Sequence, residues 1–169
     1  IADKETVVVL EKNQYLNDVI TKEDLSDKYI YIKANPGTGK TELIKKLLVE
    51  NNNIIFLQLT KALRDGKKQG IEVLTYGNSE FIKNTEKAHT TIDAFVNQCS
   101  FIDLSKHMIV VDESHDHSFK QEDVVNYQGR DMAVVRAKTE KISLILSTAT
   151  PDLETICNIE DGKYDCVRL

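Results

Sequence analysis

The sequence predicts an α/β domain built around a mostly parallel β-sheet. Short runs of β-branched and other apolar residues alternate with longer stretches whose apolar residues recur at helical spacing, which is the pattern of strands joined by crossover helices. The chain has 169 residues, the length of one compact domain, and no repeat or Gly/Ser-rich linker divides it. We therefore expect residues 1–169 to form a single domain.

The apolar runs that predict strands cover residues 29–34, 54–59, 71–76, 108–111, 142–146 and, more weakly, 164–169. Helices are predicted where apolar residues recur at intervals of three and four, in the segments 40–50, 93–99 and 124–138. Thr21 and Asp24 have the spacing of a helix cap, which predicts a short turn before the first of these strands.

The charge balance limits how this chain can bind a nucleic acid. Lys plus Arg is 22 and Asp plus Glu is 27, so the net charge is −5 and the whole molecule repels phosphate. Any such contact requires a local basic patch. The clearest one consists of Lys61, Arg64, Lys67 and Lys68, opposed only by Asp65. A solvated helix face is the alternative interpretation of this cluster.

Several features predict where the protein works. No apolar run is long enough to cross a bilayer, and no segment has the residue order of a signal peptide. The three cysteines show no CxxC pairing, so we expect a reducing intracellular location, cytoplasmic or nuclear. The first residue is Ile1 rather than Met, which predicts an excised domain or a processed product. The Lys/Asn/Ile-rich composition suits a virus, a phage or a mobile element.

The strongest motif follows the first predicted strand of the series, 29–34. Residues 34–41 read Ala-Asn-Pro-Gly-Thr-Gly-Lys-Thr and lead into the predicted helix 40–50, which is the strand–loop–helix context of a phosphate-binding P-loop. Gly37 and Gly39 let the backbone turn its N–H groups inward around phosphate oxygens at a helix N-terminus. A Gly-rich turn without a ligand is the alternative, and the flanking strand and helix argue against it.

The side chains of this loop complete the predicted nucleotide site. Lys40 would place a positive charge against the β and γ phosphates, and the Thr41 hydroxyl would ligate Mg²⁺. Pro36 stiffens the entry to the loop because its ring restricts the backbone. The residues expected to contact the nucleotide are Pro36, Gly37, Thr38, Gly39, Lys40 and Thr41.

A pair of carboxylates ends the apolar run 108–111. Ligands bind at the ends of parallel strands in open α/β sheets, which is where Asp112 and Glu113 are expected to lie. Asp112 is predicted to hold Mg²⁺, directly or through water, and Glu113 to polarise the attacking water. Two solvated acids would be the simpler interpretation of the pair alone. The accompanying P-loop favours catalysis, with Glu113 and Lys40 as the catalytic residues.

Together these motifs resemble the first motor domain of a superfamily-2 helicase or translocase of the DExH type. Residues 34–41 match motif I, Asp-Glu-Ser-His at 112–115 matches motif II, and Ser-Thr-Ala-Thr-Pro at 147–151 matches motif III. The resemblance implies a RecA-like P-loop domain whose parallel sheet has helices on both faces. It also implies ATP and Mg²⁺ as cofactors, and DNA or RNA bound through its backbone.

Further segments resemble the family less closely. Gln14 matches the position that reads adenine, since an amide can pair with both a donor and an acceptor edge, and Tyr15 could stack on the base. The resemblance assigns strand contact or coupling to Thr60, Lys61, Arg64, Thr90, Thr91, Ser147, Thr148 and Thr150. Thr91 could equally be a plain helix N-cap.

One part of the family's motor has no counterpart in these residues. The resemblance implies a second RecA-like domain that carries an arginine finger, and after Pro151 there is room only for one short helix and one strand. We therefore expect the chain alone to bind nucleotide weakly. Hydrolysis and unwinding would require the second domain.

Two other classes of protein remain open at this point. A small-molecule kinase or an AAA-type ATPase also uses a P-loop, although the four arginines are too scattered for an Arg-rich kinase lid. A nucleotide-gated binding module would need no hydrolysis, and the presence of Glu113 argues against it.

Overall fold

A central sheet carries most of the residues that can be placed. The computed structural model describes residues 5–7, 9–12, 14–25, 29–50, 53–58, 75–76, 87–91, 94–96, 103–112, 120–121, 127–151 and 153–168. The strands among them are β1 (Glu5–Val7), β2 (Tyr29–Lys33), β3 (Ile54–Gln58), β4 (Thr75–Tyr76), β5 (Lys87–Thr91), β6 (Met108–Asp112), β7 (Lys120–Gln121), β8 (Tyr127–Gln128), β9 (Leu144–Thr148) and β10 (Asp165–Arg168).

Eight of these described strands form one sheet in the order β1-β10-β2-β9-β6-β3-β5-β4, and every neighbouring pair is parallel. Strands β7 and β8 pair separately as an antiparallel ribbon. The predicted parallel α/β class is therefore confirmed. Because the strands are parallel, their carboxyl ends lie at one edge of the sheet, where ligands bind in such folds.

The predicted strands agree with the structure in most places. Strands β2, β3, β6 and β10 overlap their predicted ranges closely, whereas β9 starts later than predicted and continues to Thr148. Of the run predicted at 71–76, the structure describes only β4. Strand β5 was not predicted because its sequence, KAHTT, is mostly polar; it forms by pairing with β3 from Ile54–Lys87 to Gln58–Thr91. Tertiary pairing here outweighs local propensity.

The helices with described bounds are α1 (Leu16–Val19), α2 (Lys22–Leu25), α3 (Lys40–Glu50), α4 (Gly129–Glu140) and α5 (Leu153–Glu160). Helix α3 has the predicted bounds, and α5 followed by β10 fills the space predicted after Pro151. Helix α4 starts at Gly129 rather than at residue 124, because β8 occupies the two preceding residues. Of the helix predicted over 93–99, residues 94–96 are described and helical. The predicted cap is confirmed, since the backbone N–H and the hydroxyl of Thr21 both donate to Asp24 Oδ2 at 2.8 Å.

The sheet has an apolar core on each face. On one face, side chains of α1, α2 and α3 pack against alternate residues of β2, β3 and β6, including Ile32, Phe56 and Val110. On the other face, Ala133 and Ala137 of α4 pack against the intervening residues, including Leu57 and Val111. This arrangement confirms the predicted helices on both faces. None of the helices that the structure describes is both long and apolar enough to cross a bilayer.

Arg130 joins α4 to α5 and gives a test of the fold. The buried guanidinium contacts Glu154 Oε2 at 3.3 Å, Thr155 Oγ1 at 3.5 Å and Asp131 Oδ1 at 3.2 Å.

Arg130→Ala should lower the free energy of unfolding by about 1–3 kcal/mol, because it removes charge-assisted hydrogen bonds from a buried site. Lys163→Ala is the control: Lys163 lies in the turn after α5, its side chain is half-exposed, and its Nζ pairs with the exposed Asp161 at 3.3 Å. It should lose only about 0–1 kcal/mol. Equal losses in urea unfolding would contradict this.

Candidate nucleotide-binding site

The loop between β2 and α3 has the backbone that a phosphate cradle requires. Gly37 and Gly39 have φ angles of +81° and +88°, in the left-handed region that glycine adopts readily. The Thr38 hydroxyl donates to the Asn35 carbonyl at 2.8 Å, which closes the loop on itself. The first turn of α3 begins where Leu43 N donates to the Gly39 carbonyl at 2.8 Å. The N–H groups ahead of that bond have no partner within the helix and face the loop end.

Helix α1 is docked against this loop. The backbone N–H of Leu16 donates to the Thr38 carbonyl at 3.0 Å, and Lys46 Nζ of α3 donates to the Asn17 carbonyl at 2.9 Å. A β-carbon added to Gly39 would lie 2.9 Å from Tyr15 Cβ and 3.3 Å from Asn17 Oδ1. Position 39 therefore requires glycine for space as well as for its backbone angle.

A cleft of about 500 Å³ opens beside the loop, a size that suits a nucleotide-class ligand. Its lining residues are Tyr15, Asn17, Pro36, Gly37, Gly39, Lys40, Thr41 and Glu42. Lys40 Nζ donates to the Ala34 carbonyl, so the ammonium group reaches back across the loop to its first residue. Inward N–H groups, a lysine and a threonine hydroxyl around one cleft fit the phosphates of a Mg²⁺-bound nucleotide.

Asp112 lies at the same edge of the sheet as the loop. It ends β6, is 4% exposed, and is paired in register with Ser147 at the end of β9. Strand β9 in turn pairs with β2, which leads directly into the loop. Two strand spacings separate β6 from β2, about 10 Å. Gln58 Nε2 at the end of β3 donates to Asp112 Oδ2 at 3.4 Å.

The segment after β9 is tied to the start of the loop. The Ala34 N–H donates to the Thr148 carbonyl at 3.1 Å, which extends the β2–β9 ladder to the loop entrance. The Thr148 hydroxyl contacts both the backbone N–H and the carbonyl of Thr150, at 3.2 and 3.3 Å. Ser147 is 1% exposed, and its hydroxyl has no hydrogen-bond partner among the described residues. A change at the loop therefore has a short route to residues 147–150.

Thr90 and Thr91 on β5, which were predicted to contact a nucleic acid, are more buried than such a contact requires. Thr90 is fully buried, so its side chain would have to become exposed before it could touch a nucleic acid. The hydroxyl of Thr91 accepts from the Ala94 N–H at 3.3 Å, which is the N-cap geometry given as the alternative. Their role in binding stays a prediction. Four further predicted site residues lie outside the described part of the chain, namely Glu113, Thr60, Lys61 and Arg64.

Gln14 lies in the turn before α1, next to Tyr15. Its Oε1 accepts from the Glu11 N–H at 3.0 Å, so the carbonyl end of its amide is held within the turn. Tyr15 is half-exposed and lines the cleft. The turn therefore adjoins the cleft, and the adenine contact predicted for Gln14 stays a prediction.

Comparison with known proteins gives curated relatives named PriA and structural neighbours that include helicases. No family model matches the sequence. The replication restart protein PriA of Rickettsia prowazekii is 31% identical to this chain over 185 residues, which cover 98% of the chain and 28% of the relative. A hypothetical ATP-dependent RNA helicase from Sulfolobus tokodaii superposes with a TM-score of 0.67 at 17% identity, over 95% of this chain and 54% of its own. Dbp5 of S. cerevisiae, bound to RNA and ADP BeF3, superposes with a TM-score of 0.62 at 15% identity, over 84% and 41%.

The chain has the fold of the first RecA-like domain of superfamily-2 helicases. The resemblance predicted from motifs I, II and III is thus confirmed at the level of fold and relatives. The chain spans little more than a quarter of the length of its PriA relatives, at 28%. These relatives are bacterial, so they do not support the predicted viral, phage or mobile-element origin.

Sequence reasoning missed two residues of this RecA-like site. Asn17 lines the cleft, and its buried Oδ1 has no partner among the residues that the structure describes. Gln58 contacts Asp112 but lies far from it in sequence. A signal for Gln58 was present: three apolar strands each reach a polar residue at the same level, namely Gln58, Asp112 and Ser147. Such residues at the carboxyl ends of neighbouring parallel strands predict a shared site.

Proposed function

We propose that this chain is the ATP-binding motor domain of a nucleic-acid helicase or translocase, and that residues 1–169 act as one domain. The observation that carries the proposal is the convergence of the loop after β2, Asp112 and Ser147 at one edge of a parallel sheet. The order of the strands brings together motifs that are far apart in sequence. This supports a single nucleotide site that is also linked to the segment after β9.

The chain's own residues would bind the nucleotide as follows. The Gly37–Gly39 backbone would cradle the phosphates, and Lys40 would exchange its contact with the Ala34 carbonyl for the β and γ phosphate oxygens. The Thr41 hydroxyl and the Asp112 carboxylate would hold Mg²⁺, which prefers oxygen ligands and would neutralise phosphate charge when bound. Glu113, next to Asp112 in sequence, would accept a proton from the attacking water.

On the base side, the turn before α1 would contact the adenine. Tyr15 offers an aromatic face at the cleft, and the carbonyl end of the Gln14 amide is already bonded to Glu11 N. The amide nitrogen of Gln14 would then donate to a ring nitrogen of adenine. Because α1 is hydrogen-bonded to the loop through Leu16, base and phosphate recognition would act together.

Nucleotide binding would be coupled to the bound nucleic acid through the contacts from the loop to the end of β9. A movement of Ala34 on phosphate binding would shift Thr148 through their backbone hydrogen bond, and Thr148 would in turn shift Thr150. In the proposed motor, a second RecA-like domain closes on this one and shifts the grip on the strand. Thr60, Lys61 and Arg64 are the proposed nucleic-acid contacts on this domain, and the buried Thr90 and Thr91 would join them only after exposure of β5.

We infer that the nucleic acid bound by the proposed motor is DNA rather than RNA. The relatives that align with nearly the whole chain are named for replication restart, whereas the neighbours whose titles mention RNA share only 15–17% of residues with this chain. An intracellular location belongs to the same proposal, since replication is an intracellular process. A kinase is disfavoured because Ser147 and Thr148 continue the sheet beside the loop, as motif III of a motor would.

The nucleotide site can be tested on this chain directly. A fluorescent N-methylanthraniloyl derivative of ATP should bind saturably, more tightly with Mg²⁺ than with EDTA, and should be displaced by ATP but not by AMP. The reason is that the loop recognises the β and γ phosphates rather than the base alone. Binding that AMP displaces as well as ATP does would contradict the assignment of the loop.

The motor activity requires a test on a chain that also carries a second RecA-like domain. We expect its ATP hydrolysis to rise strongly with single-stranded DNA and less with RNA, and Glu113→Gln to abolish the rise. Phosphorylation of a small acceptor would support a kinase instead. Robust DNA-stimulated turnover by residues 1–169 alone would contradict the need for a second domain.

A further inference from the structure

Gln58 occupies a place in the sheet where a polar side chain is unfavourable unless it has a partner. It is 2% exposed and follows the apolar residues Ile54–Leu57 of β3, which are also buried. Burying an amide without a compensating hydrogen bond costs about 1–3 kcal/mol in proteins. An apolar residue would suit this position better if packing were its only role. Its contact with Asp112 is therefore the feature that needs an explanation.

The register of the sheet places Gln58 beside Asp112. Leu57 pairs with Val111 on the neighbouring strand, so the next residue of each strand, Gln58 and Asp112, lies at the same level. The preceding residues, Leu57 and Val111, pack in the core on the α4 face of the sheet. Successive side chains of a strand alternate between faces, so Gln58 and Asp112 point to the face that carries α3 and its loop. The amide nitrogen reaches the carboxylate, with Nε2 donating to Oδ2 at 3.4 Å.

An amide donor at this position restricts the carboxylate. The terminal torsion of Asp is broad and roughly two-fold, so a hydrogen bond to one oxygen narrows the orientations that the carboxylate samples. A neutral donor on one oxygen selects one orientation without introducing a competing charge. Residues that hold a metal-binding carboxylate in this way influence metal affinity although they do not touch the metal.

We propose that Gln58 is a positioning residue for Asp112, which it holds by Oδ2 so that the carboxylate is presented to Mg²⁺ at the nucleotide site. This inference rests on the proposed function, because it needs Asp112 to be a Mg²⁺ ligand. It assigns Gln58 a role in the metal dependence of nucleotide binding and none in binding the phosphates themselves.

The test compares nucleotide affinity with and without Mg²⁺ in Gln58→Met, which keeps the length of the side chain and removes its donor. The fluorescent ATP derivative is titrated in EDTA and over a series of free Mg²⁺ concentrations. We expect the affinity in EDTA to stay within about two-fold of wild type. The free Mg²⁺ concentration that gives half of the full enhancement should rise about 10-fold. Gln58→Leu, which also lacks the donor, provides a second variant if Gln58→Met does not fold.

Phe56→Leu is the matched control. Phe56 lies on the same strand and the same face and is fully buried within the apolar core. It should lower the thermal stability while leaving the Mg²⁺ midpoint unchanged. A Gln58 variant that lowers both affinities in parallel, or leaves the Mg²⁺ midpoint unchanged, would overturn the positioning role and leave the proposed function standing. Failure of the wild-type chain to bind the nucleotide at all would overturn the proposed function and this inference with it.

Discussion

Gly39→Ala should abolish measurable nucleotide binding by this chain. The alanine β-carbon would be 2.9 Å from Tyr15 Cβ, closer than such atoms pack, and a tight 3.3 Å from Asn17 Oδ1, and the residue would be held at φ +88°. Relief of the clash requires α1 to move away from the loop, which breaks the bond from Leu16 N to the Thr38 carbonyl. Both the loop proposed to cradle the phosphates and the side of the cleft proposed to contact the base would then be displaced.

Two glycines provide controls that separate the clash from backbone strain. Gly37 (φ +81°) and Gly162 (φ +71°) also have left-handed angles, but a β-carbon at either would meet no atom within 4 Å. Each alanine variant should lose about 1–3 kcal/mol of stability from strain alone. Gly162→Ala, in the turn after α5, should bind the fluorescent ATP derivative as wild type does, and Gly37→Ala should retain weakened binding. Wild-type affinity in Gly39→Ala would refute the docking of α1 against the loop.

Lys40→Ala should weaken nucleotide binding by roughly 10- to 100-fold, as expected for the loss of about 1.5–3 kcal/mol of charge-assisted hydrogen bonding. The ammonium group is the positive charge that reaches across the loop, where its contact is the Ala34 carbonyl. Without it, the phosphates would be bound only by backbone N–H groups, the helix N-terminus and the Mg²⁺ that Thr41 and Asp112 are proposed to hold. The measurement is the dissociation constant of the fluorescent ATP derivative in the presence of Mg²⁺.

Lys45→Ala is the matched control for this loss of charge. Lys45 lies on the same helix, and its Nζ pairs with Glu42 at 2.9 Å on the protein surface. It removes one positive charge from α3 without altering the loop, so its affinity should remain within about two-fold of wild type, since exposed pairs contribute about 0–1 kcal/mol. Similar losses in the two variants would mean that the general charge of α3, and not Lys40, attracts the nucleotide.

The nucleotide loop was predictable because its physics is local. Two glycines, a lysine and a threonine at fixed spacing between a strand and a helix predict the conformation of the loop, and the positive φ angles of Gly37 and Gly39 agree with that prediction. Helix α3 was predictable with its bounds for the same reason, since its buried leucines and isoleucine recur within one amphipathic segment. Neither feature depends on distant residues.

Other features depend on strands that are far apart in sequence. Strand β5 is polar and becomes a strand by pairing with β3. Thr90 on that strand is fully buried, so a hydroxyl predicted to touch a nucleic acid lies inside the protein. The closeness of Gly39 to Tyr15 and Asn17 depends on where α1 docks, which no short motif encodes.

The residue types and their short-range spacing were enough to predict the glycine-containing loop after β2, its helix and the parallel α/β class, because each follows from interactions within a few turns of chain. The assembled sheet was needed to bring Gln58, Asp112, Ser147 and Ala34 to one edge, since their alignment follows from strand order and register. Register arises from packing both faces of the sheet at once. That packing is a property of the whole core, and no local segment contains it.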